Sequence, residues 1–280
     1  MLPIGREVSD MEMAVIKIGG SVLNKLPKAF YEMIVQLKDS GQCQPIIVHG
    51  GGPEINQTLT KLEIEPEFTE GLRVTSEEVL KVVETVLSGT INKQIVKNFY
   101  KSGGSALGLS GIDGSILKVN PADPSGKLGF VGEVSEVNTN WIRLIVENDG
   151  IPVISPIGID VAGQHYNING DTAAGAVAKS LKAKLMLISD IPGVLEESSG
   201  KKTVLPQLTN KEVEEKIASG VIYGGMIPKV RSAIKALTGG VNESVILNGF
   251  APDDLKSYIE GKRAGTKIVL EELQYASNLE

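Results

Sequence analysis

Val15-Ile16-Lys17-Ile18-Gly19-Gly20-Ser21 and Ile46-Ile47-Val48-His49-Gly50-Gly51-Gly52-Pro53 are the stretches that decide the fold. Each is a short apolar run that ends in glycines. Continuous rather than alternating apolar runs belong to strands buried on both faces, as in a parallel sheet. Glycines let the backbone approach an anion closely, and Pro53 suits the first turn of a helix, whose positive end would add to the attraction. Lys17 lies where an unpaired ammonium is costly and so calls for an anion, although a lysine that snorkels from a strand end is the plainer alternative. Together the two stretches form a cradle for a transferring phosphoryl group. It is not a P-loop, because no Gly-x-x-x-x-Gly-Lys-Ser/Thr occurs in the chain.

Outward from these stretches the same pattern recurs. Further apolar runs of strand length lie at Ala106 to Leu109, Ile151 to Ile154, Leu185 to Ser189 and Ser244 to Leu247, beside Ala14 to Ile18 and Pro45 to Val48. Amphipathic stretches alternate with them at Pro27 to Ser40, Ser76 to Lys101, Thr172 to Lys182 and Asn210 to Ser219. This order predicts an α/β fold with a mostly parallel sheet covered by helices on both faces, and ligands at the carboxyl ends of the strands. Lys118 to Val137 departs from the pattern. Turn formers over Asn120 to Gly126, then an apolar strand over Leu128 to Val134, predict a β-hairpin insertion. It reads either as a flap over the substrate or as a plain surface hairpin. Glu196 to Lys202 reads as a polar loop, the most mobile stretch.

Composition narrows the function classes. The 280 residues suffice for one large domain or two joined lobes, and 41% hydrophobic with 22% charged residues is ordinary for a soluble protein. Net charge of −6 and a pI near 5.2 argue against a nucleic-acid partner. The single Cys43 excludes an internal disulfide framework and reads as a small semi-buried residue. His49 and His165 are too far apart in sequence to suggest a zinc site, and no metal-ligating side chains are assigned. With no membrane-length apolar run and no signal peptide, a cytoplasmic location is expected.

Four further segments bear chemistry. Asp171, in Asn167-Ile168-Asn169-Gly170-Asp171, precedes an alanine-rich helix and reads as an N-cap, or as a carboxylate that orients lysines. Lys229, in Gly224-Gly225-Met226-Ile227-Pro228-Lys229-Val230, is placed just before a helix over Arg231 to Leu237. A cation there opposes the helix dipole, so an anion such as a nucleotide phosphate should offset it. Ser189-Asp190-Ile191-Pro192-Gly193 follows an apolar strand and reads as a simple turn or part of a nucleotide pocket. Arg73, in Gly71-Leu72-Arg73-Val74-Thr75, offers a planar fork for a carboxylate or is a surface arginine, ahead of a helix capped by Thr75 or Ser76.

Lys-x-Gly-Gly, His-Gly-Gly-Gly, Gly-Leu-Arg-Val-Thr, Asn-x-Asn-x-Asp and Gly-Gly-Met-x-x-Lys-Val, in this order, resemble the amino acid kinase family. The likeness runs from about Ala14 to the C-terminus and is nearest to members that phosphorylate the γ-carboxylate of N-acetyl-L-glutamate in arginine biosynthesis. It implies a three-layer α/β/α sandwich around the central sheet, with the hairpin insertion. Residues 1–182 would form an N-terminal lobe for the acetylated substrate and dimerisation, and 183–280 a C-terminal lobe for ATP, which brings Mg²⁺. Lys17 and Lys229 would stabilise the transferring group, Asp171 would orient both lysines, and the backbones of Gly20 and Gly51 would donate to it. Arg73, Asn167, Gly51 and Gly52 would hold the substrate. Lys17, Gly19, Gly20, Ser189, Asp190, Gly193, Gly225, Met226 and Lys229 would form the nucleotide site. Gly170 departs from the alanine usual in the family.

The resemblance also implies a homodimer with little arginine feedback, because only about a dozen residues precede the first strand. The residues leave open whether a PII-type regulator binds. A sister kinase acting on carrier-linked substrates and a regulatory module without activity are the rival readings. Gly52 speaks against the first, and the retention of Lys17, Asp171 and Lys229 against the second.

Overall fold

A computed structural model describes residues 12–198 and 200–271. The expected short N-terminal lead lies almost wholly outside these residues. The first part of the chain runs β1 (Met13–Ile18), α1 (Gly20–Leu23), α2 (Lys28–Asp39), β2 (Gln44–His49), α3 (Gly52–Lys61), β3 (Phe68–Thr69) and β4 (Leu72–Arg73). Next come α4 (Glu77–Glu84), a π-helical segment (Thr85–Ile91), α5 (Asn92–Lys101), β5 (Ala106–Ser110), β6 (Leu117–Pro121), β7 (Gly132–Val137) and α6 (Asn140–Glu147). β8 (Ile151–Ser155), β9 (Ile157–Ile159), β10 (His165–Asn167), α7 (Gly170–Leu181) and β11 (Lys184–Ser189) follow. The chain closes with β12 (Leu195–Ser198), β13 (Lys201–Val204), β14 (Gln207–Thr209), α8 (Asn210–Ala218), α9 (Met226–Thr238), β15 (Ser244–Asn248), α10 (Pro252–Ile259) and β16 (Thr266–Val269).

The central sheet has eight strands in the order β14-β16-β15-β11-β1-β2-β8-β5. Every neighbouring pair is parallel except β15 with β16. All six apolar runs read as strands are strands of this sheet. Alternate residues feed two cores. Ala14, Ile16 and Ile18 pack with Phe30, Tyr31, Ile34 and Phe99 on one face, whereas Val15, Ile46 and Val48 pack with Ala174, Val177 and Val230 on the other. Each fully buried Ile, Leu or Val contributes about 1.5–3 kcal/mol, so a central strand such as β2, buried at every residue, cannot slip register cheaply. The result is the expected three-layer sandwich.

Several local expectations are corrected. The stretch Ser76 to Lys101 is not one regular helix: Thr85–Ile91 is π-helical between α4 and α5. Glu196 to Lys202 is not a loop but most of the hairpin β12–β13, with Glu196 opposite Thr203 and Glu197 opposite Lys202; Ser199 lies outside the described residues. The salt bridge from Lys216 Nζ to Glu196 Oε1, 2.6 Å, ties that hairpin to α8. The insertion is a hairpin, β6 with β7, but its second strand starts at Gly132 rather than Leu128. It joins β9 and β10 in a four-stranded sheet. No helix among the described residues is long and apolar enough to cross a membrane.

Candidate active site

Lys17 is the penultimate residue of β1 and shares the sheet face of Val15, the face that α7 covers. The start of α7 therefore meets its ammonium. Lys17 Nζ lies 2.7 Å from Asp171 Oδ1, and the two side chains are 14% and 22% exposed. A partly desolvated pair of this length fixes the lysine while leaving it further donors for an anion. Asp171 is not the N-cap: Asn169 Oδ1 accepts from the backbone N–H of Asp171 at 2.9 Å and of Thr172 at 3.1 Å. That cap, two residues upstream, leaves the Asp171 carboxylate to Lys17. A Cβ at Gly170 would approach nothing nearer than the His49 carbonyl oxygen, at 3.4 Å, so the departure from alanine alters little.

The two glycine turns pack on each other. A Cβ on Gly20 would lie 2.9 Å from Pro53 Cδ and 3.0 Å from Gly51 Cα. One on Gly51 would strike Ile91 Cδ1 and lie 2.6 Å from Leu87 Cδ2, both in the π-helical segment. Close packing, against backbone for Gly20 and against side chains for Gly51, thus requires these glycines whether or not a ligand approaches them. Gly52 differs, since a Cβ there would meet nothing within 4 Å.

His49 locks the second turn from below. Its Nδ1 donates to the Gly50 carbonyl at 3.0 Å, and its Nε2 accepts from Asn92 Nδ2 at 3.4 Å. Asn92 Nδ2 also donates to the carbonyls of Leu109 and Val153. Burial pushes the His49 pKa down to about 4; the Gly50 hydrogen bond opposes this and the Lys93 charge adds to it. The ring is therefore neutral and structural. Nothing in the residues between His49 and Asn92 signals their contact, so neither stands out in the sequence as a structural pair.

Arg73 ends β4, is 8% exposed, and stacks 4.7 Å from the centre of the Phe68 ring. Its Nη2 donates to Asn56 Oδ1 at 2.5 Å, while Nη1 is buried without a hydrogen-bond partner. Burial lowers the pKa of the guanidinium, which nonetheless remains charged. A buried donor with no acceptor is costly, and a carboxylate is the acceptor that fits the fork. Asn167 Nδ2 donates to Thr75 Oγ1 at 3.1 Å, and Thr75 Oγ1 to the Arg73 carbonyl at 2.8 Å. The Phe130 N–H donates to the Thr75 carbonyl, and the Asn167 N–H to the Phe130 carbonyl. The connection inside the hairpin insertion is thereby stitched to the site.

Lys17, Gly20, Gly51, Gly52, Arg73, Asn167 and Asp171 line one cleft of about 220 Å³, with Ile55, Phe68, Leu87 and Val131 as apolar wall. A second cleft of about 850 Å³ is lined by Asp190, Gly193, Gly225, Met226 and Lys229, with Ser21 at its edge. Lys229 does not precede its helix. α9 starts at Met226, because Pro228 is tolerated in a first turn, and Lys229 Nζ lies 3.7 Å from Asp190 Oδ1. In this structure Asp171 pairs with Lys17, and Lys229 with Asp190. Two residues expected at the nucleotide line neither cleft: Ser189 is fully buried, and Gly19, half-buried, caps α1. Ser21, Lys202 and Tyr223, which no motif singles out for the nucleotide, also line the second cleft.

Comparison with known proteins identifies the family. The model of the amino acid kinase family matches residues 12–248. A curated acetylglutamate kinase of Oceanobacillus iheyensis is 57% identical over 95% of this chain and 100% of its own length. One from Syntrophomonas wolfei is 45% identical over 92% of this chain and 91% of its own. Among solved structures, a protein of Streptococcus mutans superposes with a TM-score of 0.77 at 32% identity, covering 92% of this chain and 99% of that one. Giardia lamblia carbamate kinase bound to AMP-PNP shares the fold at a TM-score of 0.63 and 17% identity, covering 94% of this chain and 100% of that one. The chain belongs to the amino acid kinase family.

Proposed function

We propose that this chain transfers the γ-phosphoryl group of ATP to the γ-carboxylate of N-acetyl-L-glutamate, giving N-acetyl-L-glutamyl 5-phosphate and ADP for arginine biosynthesis. The curated relatives named acetylglutamate kinase support the choice of substrate. The observation that carries the reading is the segment Gly20-Ser21: Gly20 lines the smaller cleft and Ser21 the larger. Acceptor and donor held in these clefts would meet across that one turn.

The acceptor is already a carboxylate, so no base is required. Alignment and charge neutralisation are the tasks left to the protein. Arg73 would take the substrate α-carboxylate on its buried Nη1, beside Asn167 and the Gly51-Gly52 backbone. Lys17, held by Asp171, would face the transferring phosphoryl group from the acceptor side, and Lys229 from the nucleotide side. Backbone N–H groups of Gly20 and Gly51 would donate to its oxygens. The Asp171 carboxylate pairs with Lys17 and that of Asp190 with Lys229, so Asp190 would share in orienting Lys229. Among the described residues no group of three His, Cys, Asp or Glu side chains is arranged to hold a metal. Mg²⁺ would enter on the nucleotide phosphates, where it neutralises charge.

We assign residues 1–182 to the substrate lobe and 183–280 to the nucleotide lobe, in a cytoplasmic homodimer. β5 is an edge strand of the central sheet and carries half-exposed Leu107, with exposed Tyr100 on α5, which makes this edge the dimer surface of choice. The test of the activity is trapping of the acylphosphate. Purified protein with Mg-ATP and hydroxylamine should yield hydroxamate from N-acetyl-L-glutamate and none from L-glutamate. Hydroxamate from neither would overturn the reading.

A further inference from the structure

The larger cleft contains one side chain that neither the fold nor the phosphoryl chemistry explains. Tyr223 lines it and is 72% exposed, so its ring is open to a ligand in the cleft. Its backbone is fixed, because the Met226 N–H donates to the Tyr223 carbonyl and Gly224 turns the chain at φ +53° into α9. The ring thus stands on a rigid turn at the lip of the cleft. The remaining apolar lining is Val221 on the same connection, Ile191 and Val194 after β11, Leu195 on β12, and Met226 at the head of α9. The charged lining includes Lys229, which shares α9 with Met226. A cleft with a cation at a helix start, an apolar wall and a free aromatic face has the chemistry for a phosphorylated ligand that also carries a flat heteroaromatic ring.

We propose that Tyr223 is the stacking platform for the purine base of the nucleotide, a residue that sets base affinity without touching the reacting atoms. The proposal deepens the kinase reading and rests on it. Stacking of a base on an aromatic side chain is worth about 1–3 kcal/mol, or roughly a 5- to 150-fold change in affinity. The contact is made equally before and during phosphoryl transfer, so it should appear in KM for ATP and leave kcat almost unchanged.

The experiment is calorimetric titration of AMP-PNP and of inorganic tripolyphosphate, each with Mg²⁺, into wild type, Tyr223→Ala and Tyr223→Phe. With so exposed a side chain, both variants should fold, which their melting temperatures will verify. Tyr223→Ala should weaken AMP-PNP by roughly 5- to 150-fold. It should leave tripolyphosphate unchanged, since that ligand has no base. Tyr223→Phe should restore AMP-PNP binding, because the ring and not the hydroxyl does the stacking. AMP-PNP binding equal to wild type in Tyr223→Ala, or an equal loss for tripolyphosphate, would overturn the assignment while the kinase reading stood. Failure of wild type to bind AMP-PNP at all would overturn both.

Discussion

Lowering the pH from 7 to 5 should remove about 2 kcal/mol of stability through His49 alone. The imidazole titrates near 6.5 in an unfolded chain, but burial against Gly50 and Asn92 moves it to about 4 in the folded one. Between these values the unfolded state binds a proton that the folded state refuses, so stability rises with pH across the window. The contribution is complete above pH 6.5 and is lost as the pH falls towards 4. At 1.36 kcal/mol per unit the whole gap amounts to about 3 kcal/mol, and by pH 5 about 2 kcal/mol of it has gone. Urea unfolding followed by circular dichroism, at both pH values, on wild type and His49→Gln measures the difference. Glutamine offers an amide donor and acceptor but does not titrate. The variant should be less stable at pH 7 and should lose about 2 kcal/mol less than wild type on acidification, the carboxylates common to both cancelling. Equal losses in the two proteins would refute the account of His49 as a buried neutral ring.

The two neighbouring glycines should separate packing from binding. Gly51→Ala drives a methyl into Ile91 and Leu87 and should cost about 1–3 kcal/mol, whereas Gly52→Ala should melt within about 0.5 kcal/mol of wild type but raise KM for the acetylated substrate. Equal melting temperatures for the pair would contradict this. Arg73→Lys keeps the charge but cannot reproduce the fork, so kcat/KM for N-acetyl-L-glutamate should fall roughly 10- to 100-fold with KM for ATP unmoved; an unchanged ratio would remove Arg73 from the site. Burial, with the Glu12 charge adding and Lys184 opposing, raises the Cys43 thiol to about 12. The native protein should therefore ignore DTNB at pH 8 and release one equivalent only on unfolding, and prompt labelling of native protein would contradict that burial.

The central strands were legible because burial on both faces leaves short, unbroken, β-branched apolar runs, several of them ended by glycines. β14 and β16 were not, since Gln207–Thr209, at the sheet edge, and Thr266–Val269, next to it, are brief strands whose pairing is decided by distant strands. The hairpin β12–β13 was hidden for a different reason. Its exposed strands are rich in Glu and Lys, so composition spoke for a loop while cross-strand pairing made a ladder. At the site, Lys17, Arg73 and Asp171, each carried by a local motif, line one cleft. What stayed invisible were contacts across the chain, such as Arg73 with Asn56 and His49 with Asn92. The reason offered for the glycines was also incomplete. Sequence suggested ligand approach, yet Gly20 is already required by Pro53 and Gly51, and Gly51 by Ile91 and Leu87.

The π-helical segment Thr85–Ile91 gives this part of the chain an unusual relation to length. A wider turn holds one more residue than an α turn, and removing a residue rotates everything downstream by about 100°. Here the segment presses Leu87 and Ile91 on Gly51, and the next residue, Asn92, reaches His49. A single deletion among these residues would make the helix more regular and at the same time swing Asn92 off the histidine. Phase, rather than the identity of any one side chain, is what this segment has to preserve, so the chain can vary in letters there far more freely than in count.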